Sequence, residues 1–433
     1  MIVKLLLDRK REGGELAPEE IRALIGAYTR GDVPDYQMAA FAMAVCCRGM
    51  TAAETHALTD AMQHSGECLT WEGPSADKHS TGGIGDKLSL VIQPLAASCG
   101  LSVPSLAGRG LGLTGGTVDK LESIPGYNAS LSLEDFRRVV ASCGVSIAAQ
   151  TAEIAPADKK LYALRDVTGT VPSIPLIVGS ILSKKLAEGA GTLVFDVKCG
   201  SGAFMKTHAD ACALARALVD GAKAAGRKAA ALVTAMDEPL GRSVGNALEV
   251  EEAIGVLKGG NGQDARCPSD VVELSVELAA RMVSLEKGMA LDEARAACRA
   301  NLANGAAYAR FSEMVKLHGG NLAAFAVRSR GETRVVASPR AGYVARIDAE
   351  GVAKAAFELG AGRAKADDVL DFAAGVTLAV ARGDRVAAGQ PLAELVACDR
   401  PGKLPDAERL VRDAITFADE PPTPRPLILE SLS

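Results

Sequence analysis

From about residue 73 the chain alternates short apolar runs with helical stretches, and several of the runs end in turn residues. "GTLVFDVKCGSGAF" and "RKAAALVTAM" read as buried strands, and "LSVPSLA" leads straight into a glycine-rich loop. Between such runs lie helix patterns. In "SLEDFRRVVASCG", Phe136, Val139, Val140 and Cys143 fall on one face. Strands alternating with helices predict a parallel sheet covered by helices. Ligands of such sheets bind at the carboxyl ends of the strands. Two glycine-rich segments belong there, "DKHSTGGIGDK" (residues 77 to 87) and "AGRGLGLTGGTVDKLE" (residues 107 to 122).

The rest of the chain has other textures. Residues 1 to 66 read as helices: Ile21, Leu24, Ile25 and Tyr28 form one apolar stripe, and Thr51 with Glu54 has capping-box spacing. A mostly helical stretch, residues 159 to 189, interrupts the α/β alternation and reads as an excursion back to the helical block. From about 340, short strands and Gly-Asp turns predict a small α+β domain, and 419 to 426, "DEPPTPRP", an extended segment. A chain of 433 residues exceeds one compact core. The expected architecture is therefore a split helical domain (1–66 and 157–189), a parallel-sheet α/β domain (73–156 and 190–333), and a C-terminal α+β domain (334–433).

A net charge of −5 argues against a general nucleic-acid binder. The longest apolar run, "MAAFAMAVCC", is far short of a membrane span. The N-terminal apolar run is too short for a secretory signal, so the ten cysteines are expected as free thiols in a reducing cytoplasm.

The glycine loops carry the chemistry. "GGIGDKL" is not a P-loop. Gly110, Gly112 and Gly115 spell G-x-G-x-x-G, but Glu134 and Asp135, where a Rossmann acid should end a strand, fall in the first turn of a helix. Lys78 and Ser80 lie on one side of an extended segment, and Gly82, Gly83 and Gly85 let backbone N–H groups approach a ligand. With Ser89 and Thr117 they make a phosphate cradle. Two incidental tight turns would explain either loop alone, though not both with the lysine. In the helical excursion, Ser180 and Lys184 share a helix face, and Arg165 precedes them by 15 residues. Converging, they could read a planar heterocycle with carbonyls and a ring N–H.

"DKHSTGGIGD", "GRGLGLTGGTVDKLESIPG", "LYALRDVTGTVPSIPLI" and "DVKCGSGAF" together resemble the pyrimidine-nucleoside and thymidine phosphorylase family, and the likeness extends over essentially the whole chain. The resemblance implies a parallel-sheet α/β domain with a central cleft facing the helical domain, and reversible phosphorolysis of thymidine and deoxyuridine, with uridine as a further candidate, by a homodimer assembled through its helical domain. Inorganic phosphate and the nucleoside are the implied partners, and no metal or organic cofactor is implied. It places Lys78, Ser80, Ser89 and Thr117 on phosphate. It places Arg165, Ser180 and Lys184 on the base, with Leu111, Val171 and Ile177 flanking the ring. His79 falls where the family protonates or hydrogen-bonds the departing base. Protonated His79, Arg165 and Lys184 would then stabilise the negative charge growing on the pyrimidine. The chain departs from the family pattern at Ala107, usually serine, and Leu113, usually histidine.

Some bacterial members of that family hold a monovalent cation beside the glycine loop, and the matching positions are Gly85, Lys87, Leu240, Ser243 and Glu252. Lysine stands where a threonine ligand is usual, so the resemblance implies that its ammonium replaces the ion. The domains would close about hinges near 66–76, 151–158 and 189–192. Two other readings remain to be weighed. An anthranilate-type phosphoribosyltransferase would need a G-T-G-G-D-G loop and an acidic pair for magnesium, and neither is found. A non-catalytic binding protein would not need Lys78, His79, Arg165, Ser180 and Lys184 intact.

Overall fold

The computed structural model describes residues 2–110, 112–113, 115–259, 267–365 and 367–433. Five strands build the centre: β1 (Ala76–Ser80), β2 (Val103–Ala107), β3 (Val145–Ala149), β4 (Thr192–Cys199) and β5 (Lys228–Ala235). β1, β4 and β5 lie side by side and parallel. Every residue of β4 is buried, as expected of a strand covered on both faces. β2 and β3 form a second parallel pair. β1, β4 and β5 point the same way, so the loops after β1 and β4 emerge at one end. His79 lies beside Phe195 and Ser80 beside Asp196.

The helices Pro18–Arg30 and Asp35–Arg48 share an apolar cluster with Ala157, Leu161 and Leu176, so the N-terminal block packs on the later excursion. The Thr51–Glu54 capping box forms, and its Glu54 is also a buried hub that accepts from Lys10 Nζ at 2.7 Å and from the Leu16 amide at 2.9 Å. Helix Ile174–Ala187 has two allegiances. Leu176 joins the helical-domain cluster, whereas Val178, Ile181, Leu182 and Leu186 pack with Leu193 and Phe195 of β4.

The three connections between these parts touch one another. The Glu67 amide donates to Glu153 O at 2.8 Å, the Leu69 amide to Ala187 O at 2.7 Å, and the Gly191 amide to Ser75 Oγ at 3.0 Å. Among the described residues, Ala155 is the one non-glycine with positive φ, 45°, and it lies at this junction. Beside it, Lys185 is buried between Asp77 (2.6 Å) and Glu188 (3.0 Å) and donates to Leu106 O. That ion cluster fixes the helix carrying Lys184 to β1 and β2.

The C-terminal part holds two small antiparallel sheets and the helices Ala349–Leu359 and Leu404–Ala414. It is not closed off from the rest: Ser243–Val244 pairs with Gly375–Leu378. The last strand, Ile428–Leu432, leaves the 334–433 unit and adds antiparallel to the free edge of β5. Five residues after a proline-rich link give a weak strand signal, and the burial of Leu429 and Leu432 against the α/β cluster supplies the driving force. Among the described residues no helix is long and apolar enough to cross a membrane.

Candidate active site

At the carboxyl end of β1, Lys78 is wholly buried, and its Nζ has no hydrogen-bond acceptor among the described residues. Its nearest counter-charge, Asp196 Oδ2, is 3.8 Å away and lies closer to Lys198 Nζ, at 2.7 Å. A buried ammonium with open donors is costly, so this position is built to receive an anion. Asp196 and Lys198 are two apart on β4, the same spacing as Lys78 and Ser80 on the strand beside it. That repeated spacing was the sequence signal for both, and it was missed.

Ser80 is differently engaged from the expectation. Its hydroxyl donates to Asp86 Oδ2 at 2.5 Å and accepts from the Gly82 amide at 3.1 Å. A hydroxyl has one proton, so it must turn from Asp86 before it can serve an anion. Burial would raise the Asp86 carboxyl, but Lys78, Lys198, Lys120 and the Ser80 hydroxyl hold it far below the usual range. Ser89 is half-buried at the second position of helix Leu88–Ser98, and Thr117 opens helix Thr117–Glu122.

The two glycine loops are close because Lys120 joins them. From helix Thr117–Glu122 its Nζ reaches the Asp86 carbonyl at 2.6 Å and pairs with Glu249 at 2.8 Å. Asp119 secures the second loop, accepting from the Gly110 amide at 2.6 Å and from Arg363 of the C-terminal part at 2.7 Å. Sequence reading missed Asp119 and Lys120 as loop anchors. Ala107 ends β2 half-buried, and Leu113 packs on the main apolar cluster. Leu111 lies outside the described residues.

On the facing side, Lys184 Nζ donates to Ser180 Oγ at 3.0 Å and to Asp158 Oδ2 at 2.5 Å. Asp158 was missed, although Asp158, Tyr162 and Arg165 follow at i, i+4 and i+7 of helix Pro156–Thr168 and so share a face. Arg165 is buried and spends three of its five N–H groups on carbonyls: Thr170 at 3.2 Å, Val171 at 2.9 Å and Leu176 at 2.9 Å. It shapes the turn that bears half-buried Val171 and leads to half-buried Ile177, and two donors remain for a ligand. Burial lowers its pKa, partly offset by Asp158.

His79 follows Lys78 on β1 and is half-buried. Its pKa is driven well below the ordinary value, first by desolvation, then by Lys185, Lys184 and Lys78; Asp86 pulls the other way. In the ligand-free protein these influences disfavour the imidazolium, whereas the family resemblance implies a protonated His79 acting on the departing base.

Behind the first glycine loop, Lys87 is buried, and its ammonium donates to Leu240 O at 3.0 Å, Ser243 O at 2.9 Å and Glu252 Oε1 at 2.9 Å. All three donors are used. The Gly85 carbonyl accepts from the Lys87 backbone amide at 2.9 Å, not from the ammonium. At Gly85 φ is +71°, and an added Cβ would stand 2.7 Å from Leu240 O, so only glycine fits. Burial raises the Glu252 carboxyl and Lys87 offsets part of that rise.

Known proteins resemble this chain in sequence and in domain order. Residues 4–66 match the helical bundle domain of a glycosyl transferase family, 72–308 its a/b domain, and 343–418 a pyrimidine nucleoside phosphorylase C-terminal domain. A pyrimidine-nucleoside phosphorylase of Geobacillus stearothermophilus is 46% identical over 89% of this chain and 90% of its own length. A thymidine phosphorylase of Agrobacterium fabrum is 44% identical over 100% of both chains. The crystal structure of anthranilate phosphoribosyltransferase from Thermus thermophilus aligns with TM-score 0.56 and 19% identity over 72% of this chain and 98% of that one, a likeness of fold alone. The helical bundle, the α/β domain and the C-terminal domain thus match in order, and the chain belongs to the glycosyl transferase family that includes the pyrimidine-nucleoside and thymidine phosphorylases.

Proposed function

We infer that the protein catalyses the reversible phosphorolysis of pyrimidine nucleosides to free base and pentose 1-phosphate. The observation that carries this reading is Lys78, a buried ammonium without an acceptor at the mouth of a glycine loop. Phosphate on Lys78, Ser89, Thr117 and, after its hydroxyl turns, Ser80 puts one oxygen opposite the glycosidic bond. As that oxygen bonds to the sugar's anomeric carbon, the carbon–nitrogen bond breaks and its electron pair passes to the pyrimidine ring. Lys184 and the two open N–H groups of Arg165 face the growing charge, and Ser180 fixes the ring's polar edge. Val171 and Ile177 exclude water from its faces.

His79 acts in this scheme as a neutral N–H donor to a base carbonyl. Bound phosphate brings negative charge that opposes the three lysines, so the proton affinity of the imidazole rises as the complex assembles. The base then takes its proton through His79 or from solvent after release. Removing one such donor costs about 10² to 10³ in kcat.

A homodimer through the helical domain accounts for exposed Leu5, Tyr36 and Met43 on helices Val3–Arg11 and Asp35–Arg48. Tyr36 and Met43 are seven apart, so they share a face.

The test is consumption of inorganic phosphate in step with release of thymine from thymidine. Base release that does not depend on phosphate would overturn the reading.

A further inference from the structure

Away from the cleft, His208, Cys212 and Glu430 bring an imidazole, a thiol and a carboxylate together, with their ligand atoms all within 4.8 Å of one another. His208 and Cys212 stand one turn apart at the start of helix His208–Ala224, so both leave the same face. Cys212 Sγ lies 3.5 Å from His208 Nε2 and 3.8 Å from Nδ1. Glu430 comes from the last strand of the chain. There the register against β5 shifts between Ile428 and Glu430, an irregularity of the kind that re-aims a side chain. Leu429 and Leu432 turn to the cluster containing Leu214 and Leu218 of that same helix. Glu430 stays exposed, beside Cys212.

We propose that His208, Cys212 and Glu430 form a zinc-class metal site that clamps the C-terminal strand to the start of this helix. One sulfur, one nitrogen and one oxygen suit zinc or cobalt, whereas magnesium and calcium take oxygen shells. Three protein ligands leave one tetrahedral position for water. Thiolate and carboxylate together balance the divalent charge. The thiol proton is released on binding. None of the three residues belongs to the phosphate or base side of the cleft, so the metal's role is structural. It holds together two segments 218 residues apart, as the numbers 212 and 430 give.

The experiment is a cobalt(II) titration of the full chain in metal-free buffer with a phosphine reductant. A thiolate-to-cobalt charge-transfer band should saturate at one equivalent and vanish on adding zinc. Cys212→Ser should remove the band, and His208→Ala and Glu430→Gln should shift its midpoint to higher cobalt. Zinc should raise the thermal unfolding midpoint of the wild type and leave that of Cys212→Ser unmoved. These side chains lie at the surface, and wild-type thymidine phosphorolysis in each variant shows that it has folded. The proposal is overturned by the absence of a band in the wild type. It is equally overturned by a band that survives in Cys212→Ser, as one from exposed Cys47 or Cys68 would, or by equal zinc stabilisation of all variants.

Discussion

At the scale of single residues, the charge state of His79 decides between two chemistries. Lysines 78, 184 and 185 and burial keep the imidazole neutral well below pH 6.5. A neutral donor in the free enzyme predicts that kcat/KM for thymidine stays flat from about pH 6 to 8, since nothing on His79 titrates there before ligands bind. A required imidazolium would instead make kcat/KM fall about tenfold per unit as pH rises, and a pH–rate profile separates the two. Lys87 yields a second prediction. Its ammonium fills a cage of two carbonyls and Glu252, so wild-type activity should be indifferent to potassium. Lys87→Thr removes the charge and leaves Glu252 buried and unpaired, a loss of about 3 to 5 kcal/mol that potassium should restore. A wild type that needs potassium, or a variant that ignores it, would contradict this. Lys78 and Ser180 could be picked out in the sequence because their motifs are continuous, and Lys87 because the family resemblance pointed to it. Asp158, Asp196 and Lys198 were not, because their meaning depends on which strand or helix lies opposite.

At the scale of elements, the strands and helices followed from periodicity, whereas the joints between them did not. Gly189 shows why. It has φ +86°, and an added Cβ would stand 2.0 Å from the Leu69 carbonyl. Three connections far apart in sequence converge there, and no local pattern announces it. Gly169 also has positive φ, +66°, but open space around it. Gly169→Ala should therefore cost only the left-handed strain, about 1 to 2 kcal/mol. Gly189→Ala adds a backbone clash and should cost clearly more. Urea unfolding of both variants checks this, and equal losses would show that the junction yields. The strand Ile428–Leu432 was illegible for a related reason: its stability comes from the edge of β5 and an apolar cluster, not from its own five residues.

At the scale of the whole molecule, the split helical domain was readable because residues 159 to 189 break an otherwise regular α/β alternation. The sharing of helix Ile174–Ala187 between two apolar clusters was not readable, since all-round apolarity says only that both faces are covered. Exposed Tyr36, 75% accessible, and Met43 lie on the outer helical face. Tyr36→Asp with Met43→Glu should convert a wild-type dimer to monomer in sedimentation velocity, and a wild-type monomer at micromolar concentration would refute the dimer. The proposed reaction draws on a buried ammonium without a hydrogen-bond acceptor among the described residues, a histidine of lowered pKa and a lysine–serine–arginine group. The central claim is that phosphate, not water, takes the sugar. Phosphorus NMR of thymidine with the enzyme and inorganic phosphate tests that most directly. The account predicts one deoxyribose 1-phosphate for each thymine and neither product without phosphate. Thymine accompanied by free deoxyribose, with the phosphate signal unchanged, would contradict it.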